Sequence, residues 1–294
     1  MLINVPEYID AILKRLSSLE YKCYLVGGCV RDSLLGLEIK DYDLSTNCSI
    51  EELKKIFNDY FIVNTNGEKH NTITLHIDND NVEISSFKHS DDEENSLWFD
   101  LSHRDYTINA MAYDGELIDY YGGLEDLSKK RIKAVGEPQE RINEDPLRIL
   151  RALRFSSKLG YDIEENTKEA IHKNASKLRS VAPERIKKEL DGILEGNNVK
   201  NILRDYNDII FEIIPELKPT YDFDQKNPYH QNTLYNHIVN VCSNCANDYL
   251  IRISALLHDV AKPLCQTIDD DGIGHYYGHP QKGSEMALGI LNIY

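Results

Sequence analysis

Two aspartates separated by a single residue are the first candidates for chemistry in this sequence. In Asp41-Tyr42-Asp43, on a predicted strand, both carboxylates project from the same face and can share divalent metal ions. Glu83, on the later predicted strand at residues 82–84, is the candidate third ligand. Two Mg²⁺ ions held in this way would activate a 3′ hydroxyl and neutralise a triphosphate, which nucleotidyl transfer requires. Taken alone, the pair is more typical of an exposed strand or turn than of a metal site.

The residues upstream of the pair change that interpretation. Gly27-Gly28 follows a buried strand predicted at residues 24–26 and opens a short helix. In such a turn, free backbone N–H groups can face phosphate oxygens. A Gly-Gly turn is usually only a turn, but the order strand, Gly-Gly, helix and then Asp-Tyr-Asp is much rarer. The sequence therefore favours a phosphate-binding site here.

The apolar pattern predicts the elements that position these groups. Residues 5–19 show helical periodicity, strand signals recur at 42–44, 61–63, 72–77 and 82–87, and a helix is predicted at 50–57. We expect a small mixed α/β domain ending near Arg131. From Asn143 onward the pattern is helical, with Leu147, Leu150 and Leu153 on one stripe and no comparably strong strand signal.

Later features suggest how the helical part is divided. Residues 222–229 contain Asp, Asn and Pro and read as a linker into a third helical unit. Residues 284–294 form an apolar helical pattern without a cap or stop, so we expect the sequence to be a fragment of a longer chain.

Charge and composition limit the class of protein. The chain carries a net charge of −16, yet residues 129–190 hold sixteen lysines and arginines against ten aspartates and glutamates. That basic stretch is as compatible with a solvated helical face as with an RNA-binding track. No apolar run approaches the roughly 20 residues of a membrane helix and the start lacks a signal-peptide pattern, so we expect a cytoplasmic protein without a membrane span.

The six cysteines include one closely spaced pair. Cys242-Ser-Asn-Cys245 has the CxxC spacing of zinc and redox sites. Because there is no second CxxC and the surrounding pattern is apolar and helical, we expect buried thiols.

Several segments, in order along the chain, resemble the motifs of the bacterial-type tRNA nucleotidyltransferase and poly(A) polymerase family. They are residues 25–32 with 40–46, then 104–111, 122–127 and 144–148, and finally Arg185-Ile186 with Glu189-Leu190. The resemblance covers essentially the whole chain. It implies an α+β protein: a polymerase-β-type nucleotidyltransferase head with a mixed sheet (1–131), an all-α neck that binds base and RNA (132–221), and a truncated HD-like helical domain (222–294).

The resemblance also implies roles for individual side chains. Asp41 and Asp43 would bind catalytic Mg²⁺, and Arg104 and Asp105 would contact the phosphates and the ribose 2′-hydroxyl. The remaining residues expected to bind nucleotide are Gly27, Gly28, Arg31, Asn109, Asp145, Arg148, Arg151 and Arg154. Among these, Asp145 and Arg148 would hydrogen-bond the Watson–Crick edge of the incoming base, since fixed donors and acceptors reject bases that leave them unpaired.

The segment at residues 144–148 also has a simpler interpretation. Asp145 before Pro146 has the pattern of a helix N-cap with proline at the first position. Glu144 and Arg148 have the spacing of an ordinary i,i+4 ion pair.

The implied reaction is attack of the terminal tRNA hydroxyl on the α-phosphate of CTP or ATP, with release of pyrophosphate. Its partners are tRNA, CTP and ATP, with no membrane and no evident protein partner. Basic residues of the neck would hold the acceptor stem through its phosphates. The alternatives are a poly(A) polymerase, an HD-type phosphohydrolase, and a non-catalytic RNA-binding protein, against which intact Asp41 and Asp43 argue.

Two departures from the family pattern bear on the product. His103 stands where the family usually has the first of two arginines, and the connection from Glu83 to His103 spans only 20 positions and lacks an Arg-Arg-Pro loop. That loop is associated in the family with the change from CTP to ATP. Addition of only two cytidines is therefore expected as readily as complete CCA addition, although residues 88–97, with their acidic run at 91–94, could form a substitute loop.

A separate set of residues lies in the C-terminal part. His237, then His258-Asp259, then His275 or His279 resemble the ligand series of HD-type phosphohydrolases, in which imidazole and carboxylate groups hold a metal-bound water. The chain ends before a final aspartate ligand is identifiable. We expect a structural role for this segment, with at most weak metal binding and no hydrolysis.

Overall fold

The structure, a computed structural model, describes residues 3–63, 71–77, 80–88, 96–227 and 233–294. The chain divides into two compact units, Met1–Glu137 and Pro138–Tyr294. The finer division expected at residues 131/132 and 221/222 stays a prediction. No helix among the described residues is long and apolar enough to span a membrane.

The first unit combines a mixed sheet with short helices. Its helices are α1 (Glu7–Ser18), α2 (Gly28–Leu34), α3 (Ile50–Ile56), α4 (Ser96–Ser102) and α5 (Gly123–Ser128), with a 3-10 turn at Thr107–Asn109. Its strands are β1 (Cys23–Val26), β2 (Tyr42–Thr46), β3 (Phe61–Val63), β4 (Thr72–Ile77), β5 (Asp80–Ser86), β6 (Ala112–Tyr113), β7 (Leu117–Ile118) and β8 (Arg131–Ile132).

Seven of these strands form one sheet in the order β3-β4-β5-β2-β1-β6-β7. The pair β2 and β5 is parallel and the other neighbours are antiparallel. Leu25, Leu44, Ile84 and Ile73 are register partners across β1, β2, β5 and β4, and all four are buried. Because side chains alternate along a strand, this row leaves Asp43 and Glu83 on the opposite face.

That opposite face is partly covered by α4. Leu97 and Leu101 of α4 join a small apolar cluster with Val26, Phe87 and Ala112. The cluster fixes α4 over the end of β1, and Asp100 reaches Ser45 of β2 from the same helix. The helix therefore brings polar side chains onto the face that carries Asp43.

The second unit is helical, as expected. Its elements are α6 (Pro138–Glu144), α7 (Arg148–Leu159), β9 (Asp162–Ile163), α8 (Glu165–Lys173), α9 (Pro183–Leu194), α10 (Val199–Asp205), α11 (Asn207–Ile213), α12 (Leu234–Asn244), α13 (Tyr249–Leu257), α14 (Lys262–Cys265), β10 (Thr267–Ile268), β11 (Gly274–His275) and α15 (His279–Leu291), with 3-10 turns at Ala175–Ser180 and Pro215–Thr220. The stripe of Leu147, Leu150 and Leu153 is buried, as its spacing predicts.

Two details of this unit differ from the sequence-based expectation. The strands β9, β10 and β11 were not predicted, because a two-residue strand is too short to show an alternating pattern. The described part of the predicted linker, residues 222–227, has no helix or strand, but it packs against the rest of the unit. Gln225 is buried, and its carbonyl accepts the hydroxyl proton of Tyr276.

The two cysteines of the pair differ: Cys242 is buried, whereas Cys245 is partly exposed, so the expectation of buried thiols holds for Cys242 alone. All six cysteines are free thiols, and Cys242 is fully buried with its Sγ donating to the carbonyl of Arg252 at 3.4 Å. Burial raises the pKa of the Cys242 thiol to about 12. A thiol that resists deprotonation is a poor metal ligand or nucleophile.

Close packing of α7 on the end of α9 gives a test of the fold. A Cβ built on Gly196 would lie 2.5 Å from backbone and side-chain carbons of Ser157, whose hydroxyl donates to the carbonyl of Ile193 at 2.7 Å. We expect Gly196→Ala to lower the free energy of unfolding by about 1–3 kcal/mol, because the backbone of α7 must shift. Thermal or urea unfolding of the chain measures this loss. Gly289→Ala on α15, where nothing lies within 4 Å of the new Cβ, is the matched control and should be neutral or slightly stabilising. Equal effects of the two substitutions would contradict the packing argument.

Candidate functional site

Strand register places the candidate carboxylates. Asp43 of β2 is the register partner of Val26 on β1 and of Glu83 on the parallel strand β5, so the Asp43 and Glu83 side chains leave the sheet on one face. Asp41 lies just before β2 and is exposed. The structure thus places Asp43 and Glu83 on one face of the sheet, and the register does not extend to Asp41.

The three carboxylates do not close into a compact ligand set. Among the described residues, ligand atoms of three histidine, cysteine or acidic side chains come within 4.8 Å of one another only at His237, His258 and Asp259. Glu83 is adjacent to Asp43 in register, but its role as third ligand stays a prediction.

The Gly-Gly turn lies beside both the Asp43 carboxylate and the Arg104 guanidinium. Gly27 is the N-cap of α2 with φ 74° and ψ −130°, a backbone conformation that residues with a Cβ rarely adopt. A Cβ at this position would lie 3.0 Å from Nη1 of Arg104 and 3.5 Å from Oδ2 of Asp43. The missing side chain therefore leaves room for the guanidinium and the carboxylate beside the turn.

Three of the expected nucleotide-binding residues form one hydrogen-bonded chain. Arg31 of α2 donates from Nη1 to Oδ1 of Asn109 at 2.6 Å, and Asn109 donates from Nδ2 to Oδ1 of Asp105 at 3.1 Å. The same Asp105 oxygen accepts the backbone N–H of Tyr106 at 2.7 Å. Asn109 and Asp105 are buried, so the network fixes polar groups in a site of restricted solvent access.

Asp100 belongs to this site, although the sequence did not single it out. Its buried carboxylate accepts from Ser45 Oγ at 3.1 Å and faces Nη2 of Arg104 at 3.4 Å. The Nε of Arg104 is buried and has no hydrogen-bond partner in the described structure. The i,i+4 spacing of Asp100 and Arg104 is a sequence signal that could have indicated this ion pair.

An open pocket of about 390 Å³ adjoins this arginine. Its lining residues are Asn71, Ser85, Ser86, Lys88, Asp100, His103 and Arg104. His103 lines the pocket, but its Nδ1 lies 2.9 Å from both the Phe99 carbonyl and the Ser102 hydroxyl. That ring nitrogen is engaged with the end of α4, so His103 is not equivalent to an arginine at this position.

The motif at residues 122–127 contacts the turn that carries Asn109. Asp126, buried on α5, accepts from Thr107 Oγ1 at 2.6 Å and pairs with Arg131 at 2.5 Å. Thr107 begins the 3-10 turn that ends at Asn109. The motif therefore positions Asn109 through the backbone of this turn.

In the second unit, Asp145 and Arg148 flank the start of α7. The regular part of α7 begins at Arg148, after a turn at Pro146-Leu147. The Oδ1 of Asp145 accepts the backbone N–H of Leu147 at 3.1 Å and its carbonyl accepts that of Arg148 at 3.1 Å, which are the hydrogen bonds of the N-cap interpretation. The other oxygen of the carboxylate, Oδ2, accepts from Arg185 Nη2 at 2.7 Å. The alternative i,i+4 pair does form, with Arg148 Nη1 2.8 Å from Glu144 Oε2.

Arg151 and Arg154 face α9. Buried Glu189 lies 2.5 Å from Arg154 Nε and 3.9 Å from Arg151 Nη1. Arg154 lies over Gly192, where any Cβ would collide with its side chain. These contacts give both arginines a role in holding α7 on α9, and their contact with nucleotide stays a prediction.

The C-terminal candidates separate into two groups. His237, His258 and His279 surround Asp259, with Nε2 atoms 3.5, 3.0 and 3.6 Å from its carboxylate oxygens. His275 instead pairs with Asp269 at 2.7 Å, so His279 is the member that joins the cluster. Burial would raise the pKa of Asp259, but hydrogen bonds from His258 and Lys262 outweigh it and lower that pKa to about 2.

Comparison with known proteins agrees with this geometry. Residues 23–133 match the family described as the poly A polymerase head domain, and residues 160–219 match that described as the probable RNA and SrmB-binding site of polymerase A. A CCA-adding enzyme of Limosilactobacillus reuteri is 41% identical over 208 residues, which cover 66% of this chain and 51% of the relative. The chain spans about half the length of the curated relatives it matches.

Solved structures extend the likeness to most of the chain. The apo form of a CCA-adding enzyme is 26% identical with a TM-score of 0.66, covering 91% of this chain and 65% of the other. A tRNA-processing enzyme with CTP is 28% identical with a TM-score of 0.59, covering 85% and 72%. The α+β fold, a nucleotidyltransferase head followed by helical regions, is confirmed. The chain belongs to the tRNA nucleotidyltransferase and poly(A) polymerase family.

Proposed function

We propose that this chain transfers nucleotides from CTP and ATP to the 3′ end of tRNA, with attack of the terminal hydroxyl on the α-phosphate and release of pyrophosphate. The observation that carries the proposal is the meeting of Asp43 and Arg104 at Gly27, a carboxylate and a cation beside a turn that has no side chain. The relatives that are named CCA-adding enzymes support the choice of tRNA as acceptor.

The donor set of the head suits Mg²⁺. Asp41 and Asp43 offer only carboxylate oxygens, the ligands that this ion prefers, at the start of one strand. When bound, Mg²⁺ would supply positive charge to the triphosphate and favour ionisation of the attacking hydroxyl. The partial exposure of Asp43 and the exposure of Asp41 leave both carboxylates accessible to a ligand.

The remaining groups of the head would hold and orient the nucleotide. Arg104 has an Nε–H without an acceptor among the described residues, and we propose that its guanidinium donates to phosphate oxygens. Asp105, fixed by Asn109 and the backbone of Tyr106, can accept a hydrogen bond from the ribose 2′-hydroxyl. Orientation by fixed groups lowers the barrier because the reacting atoms meet without further ordering.

Asp145 and Arg148 would select the base. Cytosine and adenine both present an exocyclic amino group, whereas uracil and guanine present a carbonyl oxygen in the corresponding place. A carboxylate accepts from the amino group and repels the carbonyl. An arginine donates to the ring nitrogen that is unprotonated in cytosine and adenine. The pair therefore suits CTP and ATP and excludes UTP and GTP.

The basic stretch at residues 129–190 would bind the RNA. Residues 129–190 carry a net charge of +6 within a chain of net charge −16, so positive potential is concentrated there. Contacts to phosphates hold an RNA stem largely without reading its sequence.

The first prediction concerns the metal carboxylates. Asp41→Ala and Asp43→Ala should each lower turnover by roughly 100-fold or more, because charge at the reacting phosphates is lost. The measurement is incorporation of labelled CTP into tRNA that lacks its 3′ end, with Mg²⁺ present. Glu83→Gln tests the third position: a small effect would restrict the ligand set to the two aspartates. Near-parental incorporation by Asp41→Ala would refute the assignment.

The Gly-Gly turn gives a second prediction. Gly27→Ala should cost turnover about tenfold to 100-fold, since the new methyl displaces the Arg104 guanidinium and strains a backbone at positive φ. Gly36→Ala has the same sign of φ but nothing within 4 Å of the new Cβ. It should lower stability while leaving turnover near the parental value. Similar turnover in the two variants would remove the close approach as the cause.

The product is the subject of a third prediction. Residues 91–94, the acidic run that could replace the missing loop, lie outside the described residues. If the short connection from Glu83 to His103 prevents the change from CTP to ATP, tRNA ending in CC should not be extended with ATP and Mg²⁺, while shorter tRNA still gains two cytidines. Product lengths on a gel decide the matter. Efficient addition of one adenosine would establish CCA addition, and long ladders with ATP alone would indicate a poly(A) polymerase.

A further inference from the structure

An ion pair between helices holds the carboxylate of Asp145. Arg185, in the first turn of α9, donates from Nη2 to Oδ2 of Asp145 at 2.7 Å across forty positions of sequence. The other oxygen, Oδ1, accepts the backbone N–H of Leu147 at 3.1 Å. Both oxygens are thereby anchored, one by the local turn and one by α9. Each oxygen has a second lone pair that can accept from a ligand.

The neighbouring acid, Glu144, has different ion-pair partners. Glu144 pairs with Arg141 at 2.7 Å and with Arg148 at 2.8 Å, so it balances the arginines of its own segment. Asp145 is the acid of this turn that α9 reaches. The cation on α9 is therefore directed at one of two adjacent carboxylates, the one proposed to read the base.

Two charged residues of α9, Arg185 and Glu189, have different surroundings. Glu189, one helical turn after Arg185, is buried and pairs with Arg154, so it contributes to the packing of α7 on α9. The side chain of Arg185 is 53% exposed and that of Asp145 is 31% exposed. An exposed ion pair contributes little to stability. Its consequence here is the direction of the Asp145 carboxylate.

We propose that Arg185 is a positioning residue for nucleotide selection, which fixes the Asp145 carboxylate so that it cannot turn away from an unsuitable base. The inference rests on the function proposed above. Rejection of uracil and guanine depends on a carbonyl oxygen meeting a carboxylate that stays in place, because a carboxylate free to rotate relieves the repulsion. Removing Arg185 should thus admit wrong nucleotides more than it hinders correct ones.

The test compares CTP with UTP in the 294-residue chain. Arg185→Met should lower the ratio of kcat/KM for CTP over UTP about tenfold, chiefly by raising the value for UTP, an effect the size of one hydrogen bond. Arg185→Lys should restore part of the ratio. Arg204→Met is the matched control, because Arg204 forms a similarly exposed 2.7 Å pair with Asp205 in the same unit and lies outside the basic stretch at residues 129–190. It should leave the ratio unchanged. Equilibrium binding of CTP and UTP, measured alongside, gives the selectivity independently of turnover.

Asp145→Asn separates this inference from the proposed function. If Asp145→Asn keeps parental selectivity in both assays, the base-reading role of Asp145 is wrong and the inference falls with it. If Asp145→Asn loses selectivity but Arg185→Met keeps it, the function stands and the inference alone is overturned. In the double variant, selectivity equal to that of Asp145→Asn is the expected result, since Arg185 acts through that carboxylate. A further loss would show that Arg185 contacts a ligand itself and would also overturn the proposal.

Discussion

The head is organised around a position that disfavours a side chain. Gly27 takes a backbone conformation that disfavours a Cβ, and the space left open borders both a carboxylate and a guanidinium. A side chain at this position would compete for space with both charged groups. The sheet brings Asp43 to the turn, α4 places Asp100 against Arg104, and α5 supports the turn that contains Asn109. Each of these elements positions a side chain or turn near Gly27.

Both units hold their polar side chains in place through other protein groups. Arg31, Asn109 and Asp105 form a chain in the head, and Asp145 is held by Arg185 in the helical unit. A group that is already oriented loses less freedom when a ligand arrives, which favours both affinity and selection. Fixed donors and acceptors also make a mismatched ligand costly, because they cannot rearrange to suit it.

Local pattern predicted those parts of the site that depend on neighbouring residues. The alternation of β2 and its register with β5 explain why Asp43 and Glu83 share a face, and the change from strand to Gly-Gly to helix marked the turn. Asp41 lies before the strand, so its position relative to Asp43 stays a prediction. Contacts between distant positions have no local signature: Arg31 meets Asn109 across 78 positions and Asp145 meets Arg185 across forty. These residues were named through family resemblance, but their pairing needed the fold. Asp100 was missed because a single acid in an apolar helix gives no sign of the Ser45 hydroxyl it meets.

The cluster at Asp259 shows how one set of residues supports two interpretations until its contacts are known. His258 and His279 each direct Nδ1 at a carbonyl 2.7 Å away, an arrangement that commonly orients metal-binding imidazoles. The same arrangement lets a protonated imidazole donate from Nε2 to Asp259, and the hydrogen bond to Asp259 raises the pKa of His258. Lys262 adds a cation 2.7 Å from the Asp259 carboxylate and also reaches Gln225. Because these partners come from α12, the end of α13, α14 and the start of α15, one buried carboxylate joins four helical segments. Lys262 gives this buried carboxylate a cationic partner within the protein, and a structural role for the cluster stays a prediction.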